Sequence, residues 1–371
     1  MIDMTQKEYD SENDLNEGID LSSLKDEGTE NAPQIVVLYH DNCLDGFGAA
    51  YAAWKALGDT AIYIPVQYSN PTPLPDVNII FGKEVYVLDF SYKADQIVEL
   101  ESWVKKLVII DHHSGALTEL MKACNDLYFL DKQLKSEGKL DTPHCYNYIY
   151  SPDECGAVLT WHYFADQFPG SISPTVPQLL LHIQDGDLGY LWNDPDHCLP
   201  GSAEIRGALG CKAIVPRNFA TWNMLISDWF HWHEELVNDG ATLSAAHKGR
   251  CAELAELAYP CQIRWYLWGE AAYIQISTGL AINATGEFAN ELGNQFAAKS
   301  GTFGAVWNYL GAGKYKVSLR SIGDFDVSAI ARYYGGNGHK NAAGFVVDRN
   351  KGQKLREILQ DISGGNHETN G

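Results

Sequence analysis

The sequence has no C-x-x-C pair. Its eight cysteines, at 43, 124, 145, 155, 198, 211, 251 and 261, are scattered. That spacing excludes a zinc ribbon, and a chain of 371 residues needs no disulfide staples, so reduced thiols in a cytosolic protein are expected. Nor is there an apolar run approaching about 18 residues, so no membrane-spanning helix is expected. The opening stretch MIDMTQKEYDSENDLNEGID lacks the apolar heart of a secretory signal, which makes the cytoplasm the default location. Positive charge is scarce: 27 Lys and Arg stand against 48 Asp and Glu, a net −21. An extended basic groove for long duplex nucleic acid is thereby excluded. A small phosphorylated ligand, held by cations and one or two arginines, is not.

What is present begins with charge. Residues 1–33 carry ten Asp and Glu against two Lys, with few large apolar residues, and read as a disordered acidic tail. From residue 34 strand and helix alternate. IVVLYHD (35–41), AIYIPV (61–66), EVYVLDF (84–90) and KLVIIDHH (106–113) are apolar, largely β-branched runs. Alanine-rich LDGFGAAYAAWKALG (44–58) and KADQIVELESWV (93–104) have helical spacing. This is βαβ rhythm, so a buried parallel sheet is predicted over 34–200. Ser151, Pro152 and Glu154 look like a capping-box start for a helix over 151–168, and a second helical run over 177–192 is interrupted at Asp185-Gly186-Asp187. Residues 201–268, rich in tryptophan, read as a helical connector. There His231 and His233 stand two apart, which on a helix do not face one another, so they are assigned to an amphipathic surface. Residues 269–350 form a smaller α+β domain, and 351–371 a C-terminal helix and tail. The predicted fold class is α/β.

Three strand runs end in acid or imidazole: Tyr39-His40-Asp41, Leu88-Asp89 and Ile110-Asp111-His112-His113. In open parallel sheets ligands bind beyond the carboxyl ends of the strands, so these tips converge on one edge. Imidazole and carboxylate without thiolate suit Mn2+ or Mg2+ better than structural zinc. His40, Asp45, Asp89, His112 and Asp185 exceed what one catalytic ion needs; two ions bridged by a carboxylate would use them all. The reaction class is then hydrolysis of a phosphate ester or anhydride. The C-terminal domain adds Arg320 in SLRS, a planar fork for phosphate. It also adds GGNGHKNAAGF (335–345), where Gly335, Gly336 and Gly338 permit close backbone approach and His339 can meet an anion or a base.

These motifs resemble the DHH phosphoesterase family with its associated C-terminal substrate-binding domain, over about residues 35–348. The signature stands as Asp111-His112-His113. HDNCLDG (40–46), Asp89 in VLDF, IQDGDL (183–188) and SLRS…DVSAIA…GGNGHKNAAGF follow the family's order. The resemblance implies two divalent cations in an interdomain cleft, Mn2+ first and Mg2+ as the alternative. His40 and Asp45 would help hold one ion, Asp89 would bridge, and His112 with Asp185 would complete the second, with Asp187 the rival to Asp185. Asp111 would orient an imidazole, His113 would touch the scissile phosphate or move a proton, and Arg320, Gly336, Gly338 and His339 would bind substrate. Many members carry a second aspartate two residues before the one at Asp45; here Cys43 stands there, with Asp41 or Asn42 as stand-ins. The expected substrates are short oligonucleotides or linear or cyclic dinucleotides. A pyrophosphate or polyphosphate hydrolase and a catalytically weak nucleotide sensor are the alternatives, and a homodimer is compatible with the reading.

Overall fold

The computed structural model describes residues 33–68, 72–136, 147–267 and 273–363. The acidic tail up to residue 32 and the end of the chain from residue 364 lie outside the described residues. The chain divides into two compact units, Met1–Ala241 and Thr242–Gly371.

In the first unit β1 (Ile35–His40), β2 (Ala61–Val66), β3 (Glu84–Leu88), β4 (Lys106–Asp111) and β5 (Asn147–Tyr150) form one sheet in the order β2-β1-β3-β4-β5. All its ladders are parallel. The strands read as continuous apolar runs because both faces are covered. Val37, Tyr86, Leu88, Val108 and Ile110 face one core, shared with α1 (Leu44–Leu57). Val36, Leu38, Val85, Val87, Leu107 and Ile109 face the other, with α2 (Val77–Ile80), α3 (Ala94–Trp103) and α4 (Ser114–Ser136). The first core also takes in α5 (Gly156–Gln167), α6 (Gln178–Asp187), α8 (Ser202–Gly210) and α9 (Phe219–Ser227), α7 being the single turn Tyr190–Asn193.

Several helix boundaries differ from expectation. α5 starts at Gly156, not at Ser151. Glu154 pairs with His162 at 3.3 Å instead of closing a capping box, and the first N–H groups of the helix are taken by distant side chains described below. α6 runs through Asp185-Gly186-Asp187 without a break; the chain turns at Gly189, whose φ is +78°. The connector expected over 201–268 is divided between the units. α8 and α9 bury Ile205 and Trp222 in the first core. The long α10 (Trp229–Ala255) follows, and Tyr259–Leu267 is already a strand, β6.

The second unit holds a seven-stranded sheet in the order β10-β11-β9-β8-β7-β6-β12. Its other strands are β7 (Tyr273–Asn283), β8 (Phe303–Gly311), β9 (Lys314–Ser321), β10 (Asn337–His339), β11 (Ala342–Asp348) and β12 (Leu359–Asp361). The β7–β8 pair is parallel, joined by the crossover helix α11 (Ala289–Ser300); the other neighbours are antiparallel. α12 (Val327–Tyr333) closes the opposite face over Phe303, Val317 and Phe345. The expected C-terminal helix is the single turn α13 (Leu355–Ile358), and β12 after it joins the sheet edge beside β6. No helix among the described residues is long and apolar enough to cross a membrane.

Candidate metal centre

The order β2-β1-β3 places the reversal of winding between β1 and β3, the crevice where open α/β sheets bind ligands. His40 ends β1 and Asp89 follows β3 directly. Asp89 is fully buried and sits at φ +53°, a left-handed angle uncommon outside glycine and tolerated best by Asn and Asp. Its N–H donates to the carbonyl of Ile110 at 2.9 Å, which ties the turn to β4.

Asp45 enters from the first turn of α1 and is fully buried. Its two oxygens accept from Gly156 N–H at 2.6 Å and Ala157 N–H at 2.8 Å, so a side chain of α1 caps the N-terminus of α5. Glycine at 156 is required by this packing. A Cβ there would lie 2.6 Å from Asp89 Cβ and 3.0 Å from Asp45 Oδ2. Gly46 plays the same part against β1, where a Cβ would lie 2.1 Å from the His40 carbonyl oxygen.

His112 completes the group. Its Nε2 stands 3.1 Å from Asp187 Oδ2, 3.3 Å from Asp89 Oδ1 and 3.5 Å from Asp45 Oδ2. Three carboxylates around one ring nitrogen are a ligand shell in outline. Donor atoms of His40, Cys43 and Asp89, of Asp89, His112 and His113, and of Asp45, His112 and Asp187 each gather within 4.8 Å. His40 Nδ1, both carboxylate oxygens of Asp89 and His112 Nε2 are buried without a hydrogen-bond partner. Unpartnered buried polar atoms cost about 1–3 kcal/mol each, more when charged. A set of them aimed at one another fits divalent cations with mixed oxygen and imidazole ligands.

The local field agrees. Burial, with the charges of Asp89 and Asp187 behind it, pushes the Asp45 carboxyl well above its usual range. Burial works against a charged His112, yet the carboxylates of Asp187 and Asp89 beside its Nε2 carry its pKa up to about 10. For Asp89 burial is again opposed, by His112 and His40, and the carboxyl ends below its ordinary value. The pocket is an excess of buried negative charge that a cation would balance.

The two fourth-motif carboxylates take different partners. Asp185 Oδ2 accepts from Ser202 Oγ at 2.5 Å and Leu199 N–H at 2.8 Å, and Ser202 Oγ meets His182 Nδ1 at 2.7 Å. Its carboxylate is thus engaged inside the unit, and Asp187, two residues further along α6, reaches His112 instead. Asp41 is also turned away, accepting from Gln67 at 2.8 Å, so the thiol of Cys43 itself stands in the group. His231 and His233 belong to no cation-ready group among the described residues.

Asp111 Oδ1 accepts from His112 N–H at 2.7 Å, His113 N–H at 3.1 Å and His113 Nδ1 at 2.7 Å. A ring whose Nδ1 donates to a carboxylate keeps Nε2 for other work, and the His113 side chain is 44% exposed. The hydrogen bond to Asp111 raises the pKa of His113.

In the second unit Arg320 is spoken for. Its Nε and Nη2 donate to Asn290 Oδ1 at 2.9 and 2.6 Å, and Nη1 to the Leu319 carbonyl at 2.8 Å. The side chain lies across Gly293 of α11, where a Cβ would sit 2.6 Å from Arg320 Cγ. Arg320 pairs with Ala342, and Ala342 with His339, so arginine and histidine share one sheet face. Gly336 and Gly338 serve backbone packing: a Cβ would lie 2.1 Å from Gly344 O and 2.4 Å from Ala343 Cα respectively. Gly338 also sits at φ +144°.

Residues 269–364 match the family model of the DHHA1 domain. Over 347 residues the chain is 29% identical to an uncharacterized protein of Acanthamoeba polyphaga mimivirus, covering 88% of this chain and 70% of that one. Among solved structures, RecJ of Thermus thermophilus in complex with Mn2+ is 15% identical, with a TM-score of 0.41. That match covers 86% of this chain and 50% of RecJ, so the chain spans about half the length of that protein. The pGpG-specific phosphodiesterase PggH of Vibrio cholerae is 12% identical, with a TM-score of 0.40, over 86% of this chain and 94% of its own. With a D-H-H strand end in the first unit and a DHHA1 domain at residues 269–364, the chain is similar to the DHH phosphoesterases that carry a C-terminal DHHA1 domain.

Proposed function

We propose that this chain is a two-cation phosphoesterase acting on phosphodiester or phosphomonoester bonds of short oligonucleotides or linear or cyclic dinucleotides. The observation that carries the reading is the set His40, Asp45, Asp89, His112 and Asp187 at the sheet's switch point, in which Asp45 and Asp89 are buried and atoms of His40, Asp89 and His112 lack hydrogen-bond partners. Mn2+ or Mg2+ bound there would lower the pKa of a water and neutralise oxygens on phosphorus. Asp89, whose carboxylate groups with His40 on one side and with His112 on the other, would be the carboxylate shared by two ions. His113, fixed by Asp111, presents Nε2 to the phosphate or to the leaving oxygen. Arg320 and His339, on one face of the second sheet, are the substrate-binding candidates there; Asn290 pre-orients the guanidinium.

The substrate panel runs from dinucleotides to 20-mers in Mn2+, with pyrophosphate alongside. Release of mononucleotides from the shortest members, abolished in His112→Ala, supports the reading. Phosphate release from pyrophosphate alone makes the protein an anhydride hydrolase. Cys43 favours one further reading, since a thiol stands where a carboxylate would add charge. Tight nucleotide binding with no turnover would mark a sensor.

A further inference from the structure

Beside the cation-ready set the first unit carries a cavity of about 520 Å³ whose wall includes the exposed edge of His113. We infer that it is a nucleoside subsite, taking the uncharged base and sugar of the substrate next to the bond that is cut; this rests on the proposed function above. Its size suits one nucleoside with water, and it falls within the range of small-molecule sites.

The chemistry of the lining decides what can enter. The two features that would draw a phosphate are the α3 N-terminus and Lys93. Both are consumed by Glu119, whose Oε2 accepts from Ala94 N–H at 3.0 Å and whose Oε1 pairs with Lys93 at 2.9 Å. Asp95 adds a further negative charge to the wall. An anion is disfavoured, while a neutral group is not.

Tyr68 supplies the platform. Its ring stacks on Phe90 with centroids 4.2 Å apart, meets His40 edge-on at 5.2 Å, and is anchored by Ser91 N–H donating to its hydroxyl. Yet the residue remains 50% exposed. A ring held on one side and open on another is built for stacking a base, worth about 1–3 kcal/mol. Through His40 and His113 the same rings touch the cation-ready set, so a base on Tyr68 leaves its phosphate at the metal centre.

The test titrates free adenosine and guanosine, with inorganic phosphate as the contrast, into the full chain by calorimetry. Without added metal, nucleoside binding is expected and phosphate binding is not. Tyr68→Leu should weaken nucleoside binding at least tenfold. Gly115→Phe is placed to block the cavity by another route: Gly115 is in its wall and a Cβ there meets nothing within 4 Å, and thermal unfolding checks that the variant folds. Both variants should raise KM for a dinucleotide about tenfold and leave kcat within twofold. Nucleoside binding that survives both substitutions, or is absent from the parent chain, overturns the subsite. Should the chain hydrolyse nothing while nucleoside still binds and is lost in both variants, the subsite stands and the phosphoesterase reading falls.

Discussion

The two units treat their polar side chains in opposite ways. In the first, atoms of Asp89, His40 and His112 are buried and without hydrogen-bond partners. In the second, Arg320 gives three N–H groups to Asn290 and Leu319, and the glycine-rich loop is closed by backbone packing. The first arrangement leaves polar atoms that a bound charge would satisfy; the second already holds its arginine in place. On the proposed reading catalytic demand falls on the parallel sheet, beside the nucleoside subsite, and Arg320 and His339 of the mixed sheet would add to substrate recognition.

The sharpest way to break this contrast is within α6. Asp187→Asn should lower Mn2+ affinity and activity by roughly 10³-fold, since it removes several kcal/mol of charge stabilisation. Asp185→Asn should cost only about 10- to 100-fold, acting through the position of α6. Titration calorimetry of both variants checks the order, and a larger loss at Asp185 would restore the assignment made from sequence.

Gly156→Ala comes next. The added methyl meets Asp89 and Asp45, so thermal unfolding should show a loss of about 1–3 kcal/mol, with weakened Mn2+ binding. In the second unit the effect should be smaller and of another kind. Asn290→Ala frees the Arg320 fork, raising KM about tenfold while Mn2+ affinity holds. A fall in Mn2+ affinity there would erase the division of labour.

The gentlest effect is in pH. The folded-state pKa of His112 lies near 10, above its ordinary value, so its protonated form stabilises the fold fully below about pH 6.5 and that gain fades as pH climbs toward 10. The raised Asp45 acts in the same direction. In chelator, melting temperature should drop between pH 6.5 and 9, and Mn2+ should flatten the curve; a chelated protein that gains stability over that range contradicts the electrostatics described.

Much of this is legible in the sequence because buried parallel strands announce themselves as unbroken apolar runs, and β1 to β4 fall where those runs lie. The D-H-H tip and Asp89 are legible for the same reason: charge at the end of a buried run is costly unless something of opposite charge meets it. The choice between Asp185 and Asp187 is not, for it is made by Ser202 and Leu199, beyond the end of α6. The start of α5 departs from the sequence pattern because local capping signals at Ser151 and Glu154 lose to a carboxylate from residue 45. Gly156 carries one signal, a glycine opening an apolar helix, whose meaning needs the neighbouring carboxylates. The 23-residue helix α4 leaves a weak trace in the sequence, its apolar positions being mixed with polar ones.

The central claim is that the first unit loads a pair of divalent cations. Counting Mn2+ bound per chain by calorimetry, with paramagnetic resonance to detect coupling between ions, tests it directly. Two ions per chain, coupled as neighbours and lost together in Asp89→Asn, is the predicted result. No binding above that of an Asp89→Asn control would contradict the account.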